Sequence, residues 1–192
     1  MLSSIELSRV LISQATSKGI PVCNLKLQKL LYYIQGYHLA CTGSPIFSDE
    51  IAAWQHGPVV GTAYHAYKEY GYQAIPVIHL AQDIEIDTFQ SELIDYVLET
   101  YGHQSGWELR NQTHNESPWL QHSSDGIVSD GKTITEAELL DFFNTKVDMD
   151  GFSLKSHISS IEDTLANDFV AVPDEIQCAD DFVLWAKSVS FS

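Results

Sequence analysis

The sequence predicts a mainly α-helical fold: a compact multi-helix domain carrying a small β-hairpin, followed by a short C-terminal α/β extension. Three observations point there. Ser3/Glu6, Asp87/Gln90, Ser105/Glu108 and Thr135/Glu138 each have the spacing of a capping box, in which side chains at the helix start satisfy free backbone N–H groups. Leu27, Leu30, Leu31, Ile34, Tyr37, His38 and Cys41 recur at three- and four-residue steps, the repeat of one helical face. Between Ile46 and Trp54 the period changes, and Ser48, Asp49 and Glu50 supply turn chemistry between two short apolar runs.

Taken in order, a first helix is expected over residues 4–17, closed by Gly19 and Pro21, with Ile5, Val10, Leu11 and Ala15 toward the core. Asn24 is the expected N-cap of the long central helix and Gly43 its end. Gly36 inside that helix costs about 1 kcal/mol relative to alanine, which suggests that another backbone approaches closely there. Pro58 has its ring torsion preset for a first helical position, so a helix is expected over about 59–70 with Gly71 as a left-handed stop. Residues 72–86 read as an extended connection. Helices are then expected from Asp87 to Gly102, with Phe89, Leu93, Ile94, Val97 and Tyr101 on one face, and from Ser105 to about Thr113. Another turn begins at Pro118 and Trp119. Asp125-Gly126 and Asp130-Gly131 mark turns, and a helix capped by Thr135 carries Leu139, Leu140, Phe142 and Phe143. After about Thr145 the texture turns loop-like through VDMDGFS, then suggests helices over 154–165 and 181–189 separated by an extended FVAVP. The expected organisation is a helical domain over 1–145 and an extension over 146–192 that packs on it.

The chain has 192 residues, enough for one well-buried core, and its 44% hydrophobic content is that of a globular protein. No apolar run has the roughly 18 residues needed for a membrane span, and the N-terminus lacks the pattern of a signal peptide. Three widely spaced cysteines, Cys23, Cys41 and Cys178, fit buried thiols in a reducing compartment, so a cytoplasmic location is expected. The net charge of −16 is unevenly spread: five basic and four acidic residues lie in 1–75, and the other five basic and 22 acidic residues in 76–192. Such a surface repels phosphate, which disfavours DNA or RNA binding, and it favours a basic partner.

No HExxH, paired C-x-x-C, GxSxG, Walker A or GxGxxG motif is present. Asp148-x-Asp150-Gly151 has the start of a calcium loop but lacks its later ligands, which makes it a turn. His56, His114 and Glu116 could meet around a metal only through the fold, and a histidine beside aromatics is more often a core or capping residue. No cofactor and no catalytic residue is expected.

Two segments carry a family resemblance. Residues 29–71 read KLLYYIQGYHLACTGSPIFSDEIAAWQHGPVVGTAYHAYKEYG, with Trp54, His56, Gly57 and Pro58 at their centre. Residues 109–119 read LRNQTHNESPW, setting Thr113, His114, Glu116, Pro118 and Trp119 in a T-H-x-E-x-P-W arrangement. Together they resemble the Panacea antitoxin domain, the family of SocA-type antitoxins and GepA-like phage-associated proteins, over roughly residues 5–145. The resemblance implies a bacterial or phage-borne, mostly helical protein with a small hairpin. Its expected partner is a cognate, co-encoded protein toxin, neutralised by direct binding without catalysis. The alternatives are an adaptor that delivers the toxin to a cytoplasmic protease and, behind that, a metal-dependent enzyme. No basic segment suited to DNA autoregulation is found. The nine motif residues have two readings, a framework role and direct toxin contact, with the framework favoured because two indoles and two prolines suit burial and helix starts. A buried hydrogen-bonded network of His56, His114 and Glu116 is expected, with the toxin meeting another surface such as the acidic second half.

Overall fold

The computed structural model describes residues 1–77, 84–124, 126, 128 and 131–149. Its elements follow in order: α1 (Ser4–Ser17), α2 (Asn24–Thr42), β1 (Ile51–Trp54), β2 (Gly57–Val60), α3 (Gly61–Tyr67), a 3-10 turn (Lys68–Tyr70), α4 (Thr88–Tyr101), α5 (Gly106–Thr113), α6 (Ser117–Leu120), β3 (Thr133–Ile134) and α7 (Glu136–Met149). The described part is mostly helical, with one small antiparallel sheet of order β2-β1-β3. None of its helices is long and apolar enough to cross a membrane.

Local chemistry sets the helix starts. Ser3, Asp87 and Ser105 each accept a hydrogen bond from the backbone N–H three residues on, and Glu6, Gln90 and Glu108 answer it. Thr135 and Glu138 make the same reciprocal pair before α7. Gly19 and Gly43 close the first two helices at φ +70°, where any Cβ would be strained.

Most of the helices pack on α2. Asn24 and every residue from Lys26 to Leu39 are buried, so this helix has no solvent face; α4, α5 and α7 cover it together with α1, α3 and β2. Its polar side chains are consumed in tying down irregular chain. The Gln35 amide donates to the Phe47 carbonyl at 3.0 Å and accepts from the N–H groups of Ile46 and Phe47 at 3.1 and 3.3 Å. Gln28 accepts from Val60 N–H at 3.0 Å and donates to Asn24, whose own amide donates to the Tyr64 carbonyl at 3.1 Å. Tyr33 stacks on Tyr101 of α4 at 3.9 Å between ring centres, while Phe143 of α7 sits edge-on to Tyr32 and Tyr37.

Several expectations change. Asn24 is not the cap of α2: Cys23 stands there, without a side-chain bond, and Asn24 is the first helical residue. Pro58 pairs with Ala53 inside β2, and the helix expected from about 59 starts at Gly61, because the hairpin consumes the three residues before it. What approaches Gly36 is not backbone but the Phe143 ring, which fills the place a Cβ would take. The hairpin gains a third strand when Ile134 pairs with Ile51, a contact 83 positions apart in the chain. Helix α7 runs on to Met149, so the first residues of VDMDGFS are helical. The remainder of the expected extension, including both of its helices, lies outside the described residues.

Candidate functional site

The nine motif residues come from two stretches of chain, the β1–β2 hairpin and the α5–α6 corner. Trp54 ends β1, His56 stands in the hairpin turn, and Gly57 and Pro58 open β2; Thr113 and His114 end α5, and Glu116, Pro118 and Trp119 frame α6. The two sequence segments meet directly: the Trp119 indole, 1% exposed, donates to the Trp54 carbonyl at 2.8 Å. His114 lies flat against the other face of this junction, its ring 3.6 Å from the Trp119 ring centre at 20°. Pro118 sits in the first turn of α6, where its missing N–H costs nothing.

Gly57 is the closest point of approach. Its φ of +96° closes the hairpin turn, and a Cβ there would lie 2.6 Å from the Lys29 ammonium nitrogen and 2.8 Å from the Thr113 hydroxyl. Lys29 is fully buried and donates to the Pro58 carbonyl at 2.7 Å. Thr113 turns its hydroxyl to the Arg110 carbonyl at 3.1 Å. Nothing in the sequence flagged Lys29, since a lysine on a helix ordinarily keeps its charge in water. Only the packing of β2 on α2 reveals it.

The expected network of His56, His114 and Glu116 divides. Glu116 is 6% exposed and accepts from the Tyr33 hydroxyl at 2.9 Å. Burial raises its pKa, against the lowering effect of Tyr33 and Lys146. The Tyr32 hydroxyl faces the same carboxylate, although neither it nor Glu116 Oε2 makes a well-formed hydrogen bond. His56 is exposed and meets the Trp107 ring edge-on at 5.5 Å. His114 has no partner for its buried Nε2. Its pKa is lowered to about 4, first by burial and then by the positive charges of Arg110, Lys29 and His56. The carboxylate thus belongs with the tyrosines of α2, and the histidines belong with a cationic group.

Chemically, most of this arrangement is structural. Trp54, Gly57, Pro58, Thr113, Glu116 and Trp119 are engaged in joining α2, the hairpin, α5 and α6. Two surface cavities of about 400 Å³ lie against the Gly19–Val22 loop, and none of the nine residues lines them. Among the described residues no three His, Cys, Asp or Glu side chains are grouped so as to hold a metal ion. The ligand set imagined for a metal-dependent enzyme therefore does not assemble.

Comparison with known proteins covers the same stretch of chain. The family described as antitoxin SocA-like, Panacea domain, matches residues 27–120, the span from the start of the buried helix to the end of α6. A curated relative, Antitoxin SocA of Caulobacter vibrioides (strain NA1000 / CB15N), is 30% identical over 123 residues, covering 58% of this chain and 65% of that protein. The match therefore spans just under two thirds of the relative's length. No solved structure gives a significant match. Both motif segments lie inside the matched span and are joined through Trp119 and Trp54, so residues 27–120 are similar to the SocA-like Panacea domain.

Proposed function

We propose that this protein is the antitoxin of a toxin–antitoxin pair: it holds a co-encoded protein toxin by direct contact in the cytoplasm and makes or breaks no bond. The observation that carries the reading is the similarity of residues 27–120 to the SocA-like Panacea domain, supported by a curated relative named as an antitoxin. The geometry is consistent with it. The motif residues that might have formed a reactive centre mostly stitch helices together, leaving a rigid scaffold of the kind that presents a surface to a partner.

The test is co-expression with the adjacent reading frame. Under this reading that gene alone arrests growth, this chain restores it, and the two proteins co-purify. Absence of both rescue and co-purification overturns the proposal. Following the toxin's half-life in the same cells separates simple occlusion from delivery to a protease: occlusion leaves the half-life unchanged or longer, whereas delivery shortens it.

A further inference from the structure

The exposed side of α5 and the hairpin turn beside it carry an arrangement the framework does not use. Trp107, Arg110, Asn111 and His114 stand at steps of three, four and seven residues, so they form one stripe along α5. The opposite side of the helix buries Gly106, Leu109 and Thr113. Trp107 is 59% exposed, a large apolar ring left in water, and His56 packs against its edge. Arg110 bonds only within its own helix, from Nη1 to the Asn111 side chain at 3.0 Å, and its Nε is buried without an acceptor. His114 Nε2 is in the same state. Behind both lies Lys29, fully buried, with a single carbonyl for a partner.

Within this group no carboxylate answers the cations. The nearest in sequence, Glu108, is bonded to Ser105 in the capping box that starts α5, and Glu116 is bonded to Tyr33. Ion pairs elsewhere join Lys18 to Asp95 and Glu99, and His122 to Glu138. Among the described residues, a chain of net charge −16 has thus set Arg110 and the unmet ring nitrogen of His114 beside an exposed tryptophan with no carboxylate paired to them. Unsatisfied donors of this kind are costly to keep, and pairing one with a carboxylate gives the stronger, charge-assisted form of hydrogen bond. Tryptophan next to arginine is also the composition that dominates binding energy in protein interfaces.

We infer that the Trp107–Arg110–His114 stripe, with His56 at its edge, is the surface that grips the protein partner, and that it receives an acidic side chain or terminal carboxylate of that partner. The inference rests on the antitoxin reading and assigns its contact face to this stripe instead of the acidic second half. A carboxylate on a protein is favoured over a nucleic-acid phosphate because the surrounding field is strongly negative, which opposes a polyanion but not a single acidic group set in a neutral or basic surface. His114, whose pKa is lowered to about 4 first by burial and then by the charges of Arg110, Lys29 and His56, is neutral at pH 7, so Arg110 supplies the charge and His114 a hydrogen bond.

Binding of the full-length chain to the product of the adjacent reading frame, measured by titration calorimetry, tests this. Trp107→Ala should weaken binding at least tenfold and Arg110→Glu at least a hundredfold, while Arg110→Lys keeps part of it. All three should melt within a few degrees of the parent, since Trp107 is exposed and the Arg110 guanidinium bonds only to its neighbour Asn111. Binding unchanged within twofold in both Trp107→Ala and Arg110→Glu, with the parent binding normally, overturns the inference and leaves the antitoxin reading standing. If the parent neither binds nor rescues, the antitoxin reading fails instead, and a second measurement still judges the surface. In a ¹⁵N-labelled chain, a terminally blocked acidic tetrapeptide should move the Trp107 indole resonance saturably, and Arg110→Glu should abolish the shift. No shift with the peptide, or a shift only with inorganic phosphate or single-stranded RNA, overturns the carboxylate assignment.

Discussion

At the scale of single residues, Trp119 and His114 show how one junction carries both stability and pH response. The Trp119 indole is buried and its N–H is bonded to the Trp54 carbonyl, so Trp119→Ala leaves a large void and an unmet acceptor. A loss of about 3–5 kcal/mol is expected, read as a shift of the denaturant midpoint. His114 works through protonation. Its folded pKa of about 4 lies below the ordinary value of 6.5, so between those limits the unfolded chain binds more protons than the folded one. Stability from this group is complete above about pH 6.5, and it is lost as pH falls toward 4. Glu116 acts with the opposite sign, because its raised folded pKa takes stability away as pH rises above its ordinary value of 4.5. His114→Gln should therefore flatten the fall in midpoint between pH 6.5 and 4.5, whatever the cost of losing the stacked ring at pH 7. An unchanged slope would show that His114 does not titrate in this window. The motif letters made both residues visible in the sequence, but not their surroundings. The sequence suggested that His114 and Glu116 would share a network, whereas the fold sends Glu116 to Tyr33 and leaves His114 among cations.

At the scale of elements, the contact between α2 and α7 depends on Gly36. Alanine there would by itself favour the helix by about 1 kcal/mol, but its methyl group would fall where the Phe143 ring stands. Overpacking of this kind costs about 1–3 kcal/mol, so Gly36→Ala should destabilise in spite of its propensity. In the double variant with Phe143→Leu, the cost should be less than the sum of the two single changes, with a coupling of about 1 kcal/mol or more. A thermodynamic cycle by denaturant titration checks it, and strict additivity would mean that the ring moves aside freely. The elements themselves were largely legible. The starts of α1, α4, α5 and α7 follow from capping pairs three residues apart, a signal contained in the local chain. The start of α3 was misplaced because Pro58 suits both a helix start and a strand, and only pairing with β1 decides between them.

At the scale of the whole molecule, α2 is the reason the described part holds together, and its burial on all sides is the feature least visible in the letters. Read by period alone, Gln28, Lys29 and Gln35 belong to a solvent face. In the fold they meet the carbonyl and N–H groups of the hairpin and its approaches, so that irregular chain is buried without leaving those backbone groups unpaired. The charge imbalance acts at this scale as well: a net −16 favours a basic partner from a distance, while Arg110 in the stripe on α5 would choose its acidic anchor at contact. The sequence by itself determined the helical class, most helix boundaries and the two motif segments, because these depend on residues within a few positions of one another. Tertiary structure alone decided that Lys29 is buried, that Tyr33 rather than a histidine holds Glu116, and that β3 completes the sheet. Each of those contacts joins residues 29 to 83 positions apart, where no local spacing can specify which polar groups will share a dry interior.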